Sequence, residues 1–344
     1  MAALTDIYVD PSLDSNTGAG TIGDPYGDLQ WALNVVDRRD ATHGNQINIK
    51  AGDAEVLTGA LDFTEWGAPT AISPTVFRGY QTTKNDGLAK AIINGGGGQC
   101  VSSTTGHLHF RDIEFRNGGS ATLVAMPLSS SLINCKISDT SGTGVACATN
   151  DLYIVGNEIT DCDVGIAVTG GRAVCQSNYL KAGGIRNFTI AIRHAVGAFC
   201  VYERNIISVG TSGNGISLEN SRSRLNGNSI LAAGSTGSGV DFTAATRGAE
   251  ATIINNVVEG FSGEGGSGFN FLTATSVPLR YAGNAAYGND VNYRNPGDIG
   301  IADDEDNEVL SASPFAKSGA DTFANRFAYF SPTTEGNIRG GAIQ

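Results

Sequence analysis

An internal repeat constrains this chain more than any other feature. A short segment with apolar ends and a central polar residue recurs as LINCKI at 132–137, IVGNEI at 154–159, CQSNYL at 175–180, YERNII at 202–207, LNGNSI at 225–230, IINNVV at 253–258 and YAGNAA at 281–286. The central residues are Cys135, Asn157, Asn178, Asn205, Asn228, Asn256 and Asn284, spaced by 22, 21, 27, 23, 28 and 28 residues. Repetition at this period predicts a solenoid in which each unit forms one coil.

A second segment follows each of the first six copies. It reads GVACA at 144–148, GIAVT at 165–169, TIAIR at 189–193, GISLE at 215–219, GVDFT at 239–243 and GFNFL at 268–272. Its second and fourth residues are apolar and its third is small or polar, which is the alternation of a strand with one buried face. We therefore predict two strands per coil and a core lined by Val145, Ile166, Ile190, Ile216, Val240, Phe269, Cys147, Val168, Ile192, Leu218, Phe242 and Phe271.

Two further expectations concern the repeat. The central asparagines are predicted to form an inward ladder whose amides bond to the coils above and below, which offsets the cost of burying them. The glycine that opens most copies of the second segment is predicted to adopt a positive φ.

The N-terminal segment predicts a cap. A strand containing Ile7 and Val9 leads through a turn into a helix at about 28–37, N-capped by Asp28, with an apolar stripe. Together with the repeat, these residues resemble the right-handed parallel β-helix superfamily, the fold of pectate lyases and many phage tailspikes. The resemblance implies an all-β solenoid over 1–290 with an N-terminal capping helix, and 291–344 as an irregular C-terminal cap of the same domain.

Composition excludes several classes of function. The 344 residues carry 34 acidic and 22 basic side chains, a net charge of −12, so nucleic acid is not expected as a partner. No apolar run is long enough for a membrane span, and no membrane partner is expected. The six cysteines form no CxxC pair, and we expect buried free thiols and no structural metal site among them.

Outward positions of the second segment supply the candidate ligand-binding residues. Arg193 and Glu219 occupy equivalent positions on adjacent coils, and with Asp241 and Asn270 they predict a carbohydrate-binding groove. In a polysaccharide lyase, Arg193 would abstract the proton next to a uronate carboxylate. The alternative is a surface ion pair without catalytic function. His194 belongs to the same polar stretch, where a solvated side chain is the alternative to a catalytic one.

Three aspartates are candidates for a metal site. Asp139 and Asp161 follow equivalent positions of the first segment, and Asp163 lies close in sequence, so a Ca²⁺ ion between stacked carboxylates is one interpretation. Pectate lyases use such acids together with Lys or Arg, which makes Lys181 and Arg186 of the next coil candidates by resemblance. The alternative is that these acids are solvated loop residues, and apart from Ca²⁺ no cofactor is expected.

The functional hypotheses differ in class. The first is a bacteriophage structural protein, a capsid decoration or tail-fibre component contacting host glycans. The N-terminus shows no secretory signal, and both the entry motif and the closing NIRGGAIQ resemble β-helix proteins of phage-like and marine environmental sequences. This hypothesis predicts a virion location after cytoplasmic assembly, with other virion proteins, a host polysaccharide and a homotrimer as partners.

The alternatives are a secreted polysaccharide lyase or hydrolase acting on acidic glycans, and a non-catalytic carbohydrate-binding module. Nothing in the sequence requires catalysis, which favours a protein that is not an enzyme. If the protein is an enzyme, Lys181, Arg193 and His194 are the catalytic candidates.

Overall fold

The computed structural model describes residues 4–13, 15–35, 44–64, 66, 69–84, 86, 89–183, 185–195, 197–219, 221–242, 251–271, 280–294 and 308–309. Contacts divide the chain into two compact units, Met1–Cys162 and Asp163–Gln344. Each unit is a β-solenoid, and the prediction that the coils form a single domain stays a prediction. No helix in the described ranges has the length and hydropathy needed to cross a membrane.

The first unit contains one helix and thirteen strands among its described residues. They are β1 (Thr5–Val9), α1 (Leu29–Val35), β2 (Asn45–Lys50), β3 (Ala54–Val56), β4 (Thr75–Tyr80), β5 (Ala91–Asn94), β6 (Val101–Ser102), β7 (Leu108–Arg111), β8 (Ile113–Gly119), β9 (Val124–Met126), β10 (Ser131–Ile133), β11 (Lys136–Cys147), β12 (Leu152–Val155) and β13 (Glu158–Thr160).

From the unit boundary onward the chain continues as strands. They are β14 (Cys162–Val168), β15 (Ala173–Gln176), β16 (Tyr179–Lys181), β17 (Ile190–His194), β18 (Gly197–Glu203), β19 (Ile206–Val209), β20 (Asn214–Leu218), β21 (Ser221–Asn226), β22 (Ser229–Ala232), β23 (Ser238–Phe242), β24 (Ala251–Ile254), β25 (Val257–Glu259), β26 (Ser267–Asn270), β27 (Arg280–Ala282), β28 (Ala285–Tyr287), β29 (Val291–Arg294) and β30 (Glu308–Val309).

The strands stack into three parallel columns in each unit, which we call faces A, B and C. In the first unit, face A is β1-β2-β4-β7-β10-β12, face B is β3-β5-β8-β11-β13, and face C is β6-β9 with the end of β11. In the second unit, face A is β15-β18-β21-β24-β27, face B is β16-β19-β22-β25-β28-β30, and face C is β14-β17-β20-β23-β26-β29. The predicted parallel β-solenoid is confirmed.

The first repeat segment contains two strands and not the single strand predicted, so each coil has three strands. The residue before each central residue of that segment has a positive φ, between 52° and 67°. These corner residues are Asn134, Gly156, Ser177, Arg204, Gly227, Asn255 and Gly283. A left-handed residue interrupts extended backbone, so face A ends and face B begins at this corner.

The predicted asparagine ladder is confirmed in the second unit. The Nδ2 of Asn178 donates to Oδ1 of Asn205 over 3.0 Å, and Asn205, Asn228 and Asn256 each repeat this bond to the next asparagine. Each Oδ1 also accepts the backbone N–H of the asparagine on the preceding coil, over 3.0 to 3.1 Å. The side chains are buried, and the ladder satisfies polar groups that no water can reach.

Eleven of the twelve predicted core side chains are buried, and Ile190 is not. The ladder places Ile192 opposite Ile166 and Ile216, two residues away from the predicted alignment of β17. A shift of two residues preserves the inward face of a strand, so the alternation of this segment is compatible with both registers. In the observed register His194 takes the core position that an apolar residue occupies on the neighbouring strands.

The glycines that open the second segment have a different role from the predicted one. Gly215 and Gly239 do not adopt a positive φ. A Cβ at Gly215 would lie 2.5 Å from the carbonyl oxygen of Gly239 and 2.5 Å from Cγ2 of Ile230, and a Cβ at Gly239 would collide with Val258. Glycine is required here because the coils approach too closely for a side chain.

The N-terminal cap forms as predicted. The N–H of Trp31 donates to Oδ1 of Asp28 over 2.5 Å, which is an N-cap, and Leu29, Ala32 and Leu33 are buried. Helix α1 packs on the first coils, where the amide of Gln30 exchanges hydrogen bonds with the backbone of Asp62. The predicted last residues of the helix, 36 and 37, lie outside the described residues.

The coils extend further towards the C-terminus than predicted. Strands β29 and β30 continue faces C and B beyond residue 290, where an irregular cap was expected. Most of 291–344 lies outside the described residues, including the acidic run 303–306. All six cysteines are buried free thiols, as predicted.

Candidate functional site

The candidate site is a column of outward side chains on face C of the second unit. Consecutive strands place Ala167, Arg193, Ser217, Asp241, Asn270 and Arg294 directly opposite one another. Strands in a ladder lie about 4.8 Å apart, so these residues form a continuous row. We call this row, together with Glu219, the polar column.

Arg193 and Glu219 form the ion pair expected from the sequence. The Nε of Arg193 donates to Oε1 of Glu219 over 3.0 Å and its second nitrogen, Nη2, to Oε2 over 3.2 Å. The side chains are 45% and 31% exposed, so solvent reaches the pair. The hydrogen bonds and the negative charge of Glu219 raise the pKa of Arg193. A guanidinium held in its charged form is suited to anchoring a ligand and not to abstracting a proton.

The register of this pair is diagonal. Arg193 lies opposite Ser217, and Glu219 follows two residues later on the same outward side. The ladder continues through that point, because the N–H of Glu219 donates to the carbonyl of His194 over 2.7 Å. Glu219 is therefore also diagonal to Asp241, which lies opposite Ser217 on the next strand.

Asp241 and Asn270 form the second pair of the column. The Nδ2 of Asn270 donates to Oδ1 of Asp241 over 2.9 Å. Burial raises the pKa of Asp241, the hydrogen bond from Asn270 lowers it, and the charge of Glu219 raises it, with a net upward shift. The column thus holds two carboxyl groups in contrasting environments, one paired with a cation and one half-buried beside an amide.

Arg294 completes the column and was not predicted. It lies opposite Asn270, and its Nη2 donates to the carbonyl of Gly265 over 3.2 Å. Residues 291–344 were expected to form a cap, so Arg294 was not aligned with the coils. The signal was present in VNYR, whose alternation continues the second repeat segment.

His194 does not belong to this surface, which corrects the expectation of an outward, solvated side chain. It is 0% exposed and lies in the core column between Val168 and Leu218, with its ring 5.9 Å from that of Tyr202. Neither ring nitrogen has a hydrogen-bond partner among the described residues. Burial lowers the pKa of His194 to about 4. A catalytic role would require access that this position lacks.

Lys181 is also separate from the polar column. It ends β16 on face B, opposite Ser208, while the column runs along face C. Arg186 follows in the connection between β16 and β17, and the structure aligns neither residue with Arg193. Lys181 as a catalytic residue stays a prediction.

The candidate metal ligands have a conformational role. Asp139 and Asp161 adopt positive φ values of 61° and 53°, a conformation that aspartate tolerates better than most residues. The N–H of Thr140 donates to the carbonyl of Asp161 over 3.1 Å, so these two corners stack as predicted. Asp163 belongs to the second unit. No group of three or more His, Cys, Asp or Glu side chains in the described ranges is placed to hold a metal, and Ca²⁺ stays a prediction.

Comparisons with known proteins agree with the fold. No family model matches the sequence, and no curated protein matches it. The structure is similar to that of pectate lyase Pel9A, with 14% sequence identity, a TM-score of 0.50, and coverage of 92% of this chain and 84% of that one. It is also similar to the GH136 lacto-N-biosidase of Eubacterium ramulus, with 14% identity, a TM-score of 0.52, and coverage of 89% and 67%. The parallel β-helix predicted from the sequence is confirmed as the fold.

Proposed function

We propose that this chain is a carbohydrate-acting protein that binds a glycan along the polar column. The observation that carries the proposal is the bidentate pair of Arg193 and Glu219, which lies on an outward face beside Asp241 and Asn270. The two structures it resembles are named as a pectate lyase and a lacto-N-biosidase, both of which act on glycans. These resemblances favour a glycan as the class of ligand, but at 14% identity they indicate no particular sugar.

The chemistry of the column suits sugar hydroxyls. Planar guanidinium and carboxylate groups donate and accept hydrogen bonds in fixed directions, and an amide adds both functions at one position. Because the column repeats at the strand spacing, an extended glycan lying along it from Arg193 to Arg294 meets a polar side chain at each coil, with Glu219 in that role on the coil where Ser217 is buried. Arg193 and Arg294 provide cationic positions for a carboxylated sugar, which keeps acidic glycans among the candidate ligands.

A binding experiment tests the proposal. The full chain is titrated by calorimetry with oligomers of galacturonate, alginate and hyaluronan, and with chitohexaose and lacto-N-tetraose. We expect binding to at least one of these, weakened about tenfold or more in R193M and N270A, because each substitution removes a hydrogen-bonding group. The control R224M removes the arginine of a comparable ion pair, with Glu203 on face A, and is expected to bind as the parent does. Absence of binding to all probes, or equal binding by the three variants, would overturn the proposal.

The virion role predicted from the sequence stays a prediction. A glycan-contacting β-helix is compatible with a phage component and equally with a secreted protein, so the polar column does not distinguish the two. The predicted homotrimer and the predicted location stay predictions as well. Copurification of the chain with assembled particles is the result expected for a structural component, and its recovery only as a separate protein would contradict that role.

A further inference from the structure

We propose that Asp241 and Glu219 are a catalytic acid and base that hydrolyse a glycosidic bond in the glycan held by the polar column. The inference rests on the proposed function, since it requires a glycan at this site. It extends that function from binding to a reaction class and assigns the two catalytic residues.

The spacing of the two residues fits this reaction. Glu219 is two residues beyond the partner of Asp241 in the ladder, and both side chains project outward. A step of about 4.8 Å between strands combined with two residues of about 3.3 Å each places the Cα atoms on the order of 8 Å apart. Inverting glycosidases hold their two carboxyl groups about 6.5–9.5 Å apart, which leaves room for a sugar carbon and a water molecule. Cα atoms at this separation allow that arrangement, and the charge of Glu219 acts on Asp241.

The environments of the two carboxyl groups assign their roles. Asp241 is half-buried, and Asn270 donates to its Oδ1, which leaves Oδ2 to carry a proton. Both oxygens of Glu219 accept hydrogen bonds from Arg193, an arrangement that stabilises the carboxylate. A carboxylate has about four lone-pair positions, so Glu219 retains acceptor capacity for a water molecule. A carboxyl group beside an amide and a second one beside a guanidinium supply the proton donor and the proton acceptor that acid and base catalysis requires.

The reaction balances with water as the only co-reactant. Asp241 donates its proton to the glycosidic oxygen as the bond from that oxygen to the anomeric carbon breaks. Glu219 accepts a proton from water as the water oxygen bonds to the same carbon from the opposite side. The products are an alcohol and a hemiacetal of inverted configuration, and solvent exchange returns the proton from Glu219 to Asp241.

The experiment compares cleavage with binding in the same preparations. The full chain, D241N, E219Q and R224M are incubated with the glycan probes used for titration. Cleavage is followed by reducing-end assay, anomeric configuration by proton NMR, and unsaturated products by ultraviolet absorbance. We expect inverted, saturated products from the parent and from R224M. Rates are expected to fall at least about 100-fold in D241N and E219Q, while each variant keeps its glycan affinity within a few-fold.

The pH profile separates catalysis from structural damage. Asp241 must be protonated and Glu219 ionised, so the parent is expected to show a bell-shaped profile, and each variant should lose one limb of it. Binding without cleavage would overturn this inference and leave the proposed function standing. Unsaturated products, or D241N rates equal to the parent, would also overturn it. Absence of glycan binding would overturn both.

Discussion

At the residue scale, the corners of the coils depend on a conformation that few residues favour. A left-handed residue other than glycine costs roughly 1–2 kcal/mol, with asparagine and aspartate costing less. Gly227 and Gly283 occupy this corner without that cost, but Arg204 occupies it with a φ of 54°. The next residue, Asn205, makes the ladder bonds. The corner thus combines one position selected for backbone freedom with one selected for hydrogen bonding.

The substitution N205A should therefore destabilise the fold strongly. The Oδ1 of Asn205 accepts from the backbone and side chain of Asn178, and its Nδ2 donates to the carbonyl of Cys175 and to Asn228. Alanine leaves these buried groups unbonded, and we expect a loss of about 3 kcal/mol in the free energy of unfolding, measured by denaturant titration. The matched control R204G changes the adjacent residue and should keep or raise stability. Equal losses in both variants would contradict the ladder's role.

His194 should make stability depend on pH. Its pKa is lowered to about 4 in the folded protein, from an ordinary value near 6.5. Between these values His194 binds more protons in the unfolded chain, so its contribution to the free energy of unfolding falls as the pH decreases from about 6.5 to about 4. H194L should remove this dependence and add on the order of 2 kcal/mol at the acidic end of that window.

The measurement for His194 is denaturant unfolding at several pH values. H194L should also be more stable than the parent at neutral pH, because leucine replaces a ring with two buried, unbonded nitrogens. The control H107N substitutes a histidine that is half-buried and should leave the pH dependence in place. The assignment is wrong if H194L retains the dependence of the parent.

At the element scale, the capping helix imposes an electrostatic cost. Glu55 in β3 is buried and accepts a hydrogen bond from the backbone of Leu29, at the beginning of α1. Burial, and then the charge of Asp28, raise the pKa of Glu55 to about 7. The cap therefore packs against an acid that prefers to be protonated.

The substitution E55Q should stabilise the protein at alkaline pH. Glu55 binds more protons in the folded state between about pH 4.5 and about 7, so its contribution to the free energy of unfolding decreases as the pH rises through that window, opposite in sign to that of His194. Glutamine keeps an acceptor for Leu29 without the charge. We expect a gain on the order of 2 kcal/mol at pH 8 and little change at pH 4, measured by thermal unfolding at both values. A gain independent of pH would point to packing and not to ionisation.

The elements were only partly predictable from the sequence. The strands of face C were found because Ile216 and Leu218 and their equivalents alternate visibly with polar residues. The division between faces A and B was missed, because the corner residue lies inside an otherwise apolar segment. Arg204 carries no sequence mark of a left-handed conformation. The register of β17 was missed because a shift of two residues leaves the apolar pattern unchanged.

At the scale of the whole molecule, the fold was predictable and the function much less so. Stacking requires every coil to repeat the same pattern of buried side chains, so the sequence signal for the fold occurs many times. The pattern of the polar column does not repeat, because its outward side chain differs from coil to coil, as Arg193, Asp241 and Asn270 show. The sequence grouped them in one polar stretch but aligned Arg193 with Glu219, two residues away from the observed register. The diagonal position of Glu219 relative to Asp241 required the backbone register.

The net charge of −12 should influence which glycans bind. Charges act over about 30 Å at 0.01 M salt and about 8 Å at 0.15 M, so at low salt an anionic glycan experiences the acidic protein as a whole. At higher salt the nearby guanidinium groups of Arg193 and Arg294 dominate. We therefore expect the affinity for galacturonate oligomers to rise severalfold when salt increases from 0.01 to 0.15 M.

Chitohexaose, which carries no charge, is the control for this measurement. Its affinity should be independent of salt, because no long-range repulsion opposes its approach. Calorimetry at both salt concentrations gives the comparison for the two ligands. If the affinity for galacturonate oligomers instead falls with salt, the two arginines outweigh the overall charge even at long range. The polar column would then attract anionic glycans, and R193M should abolish that salt dependence.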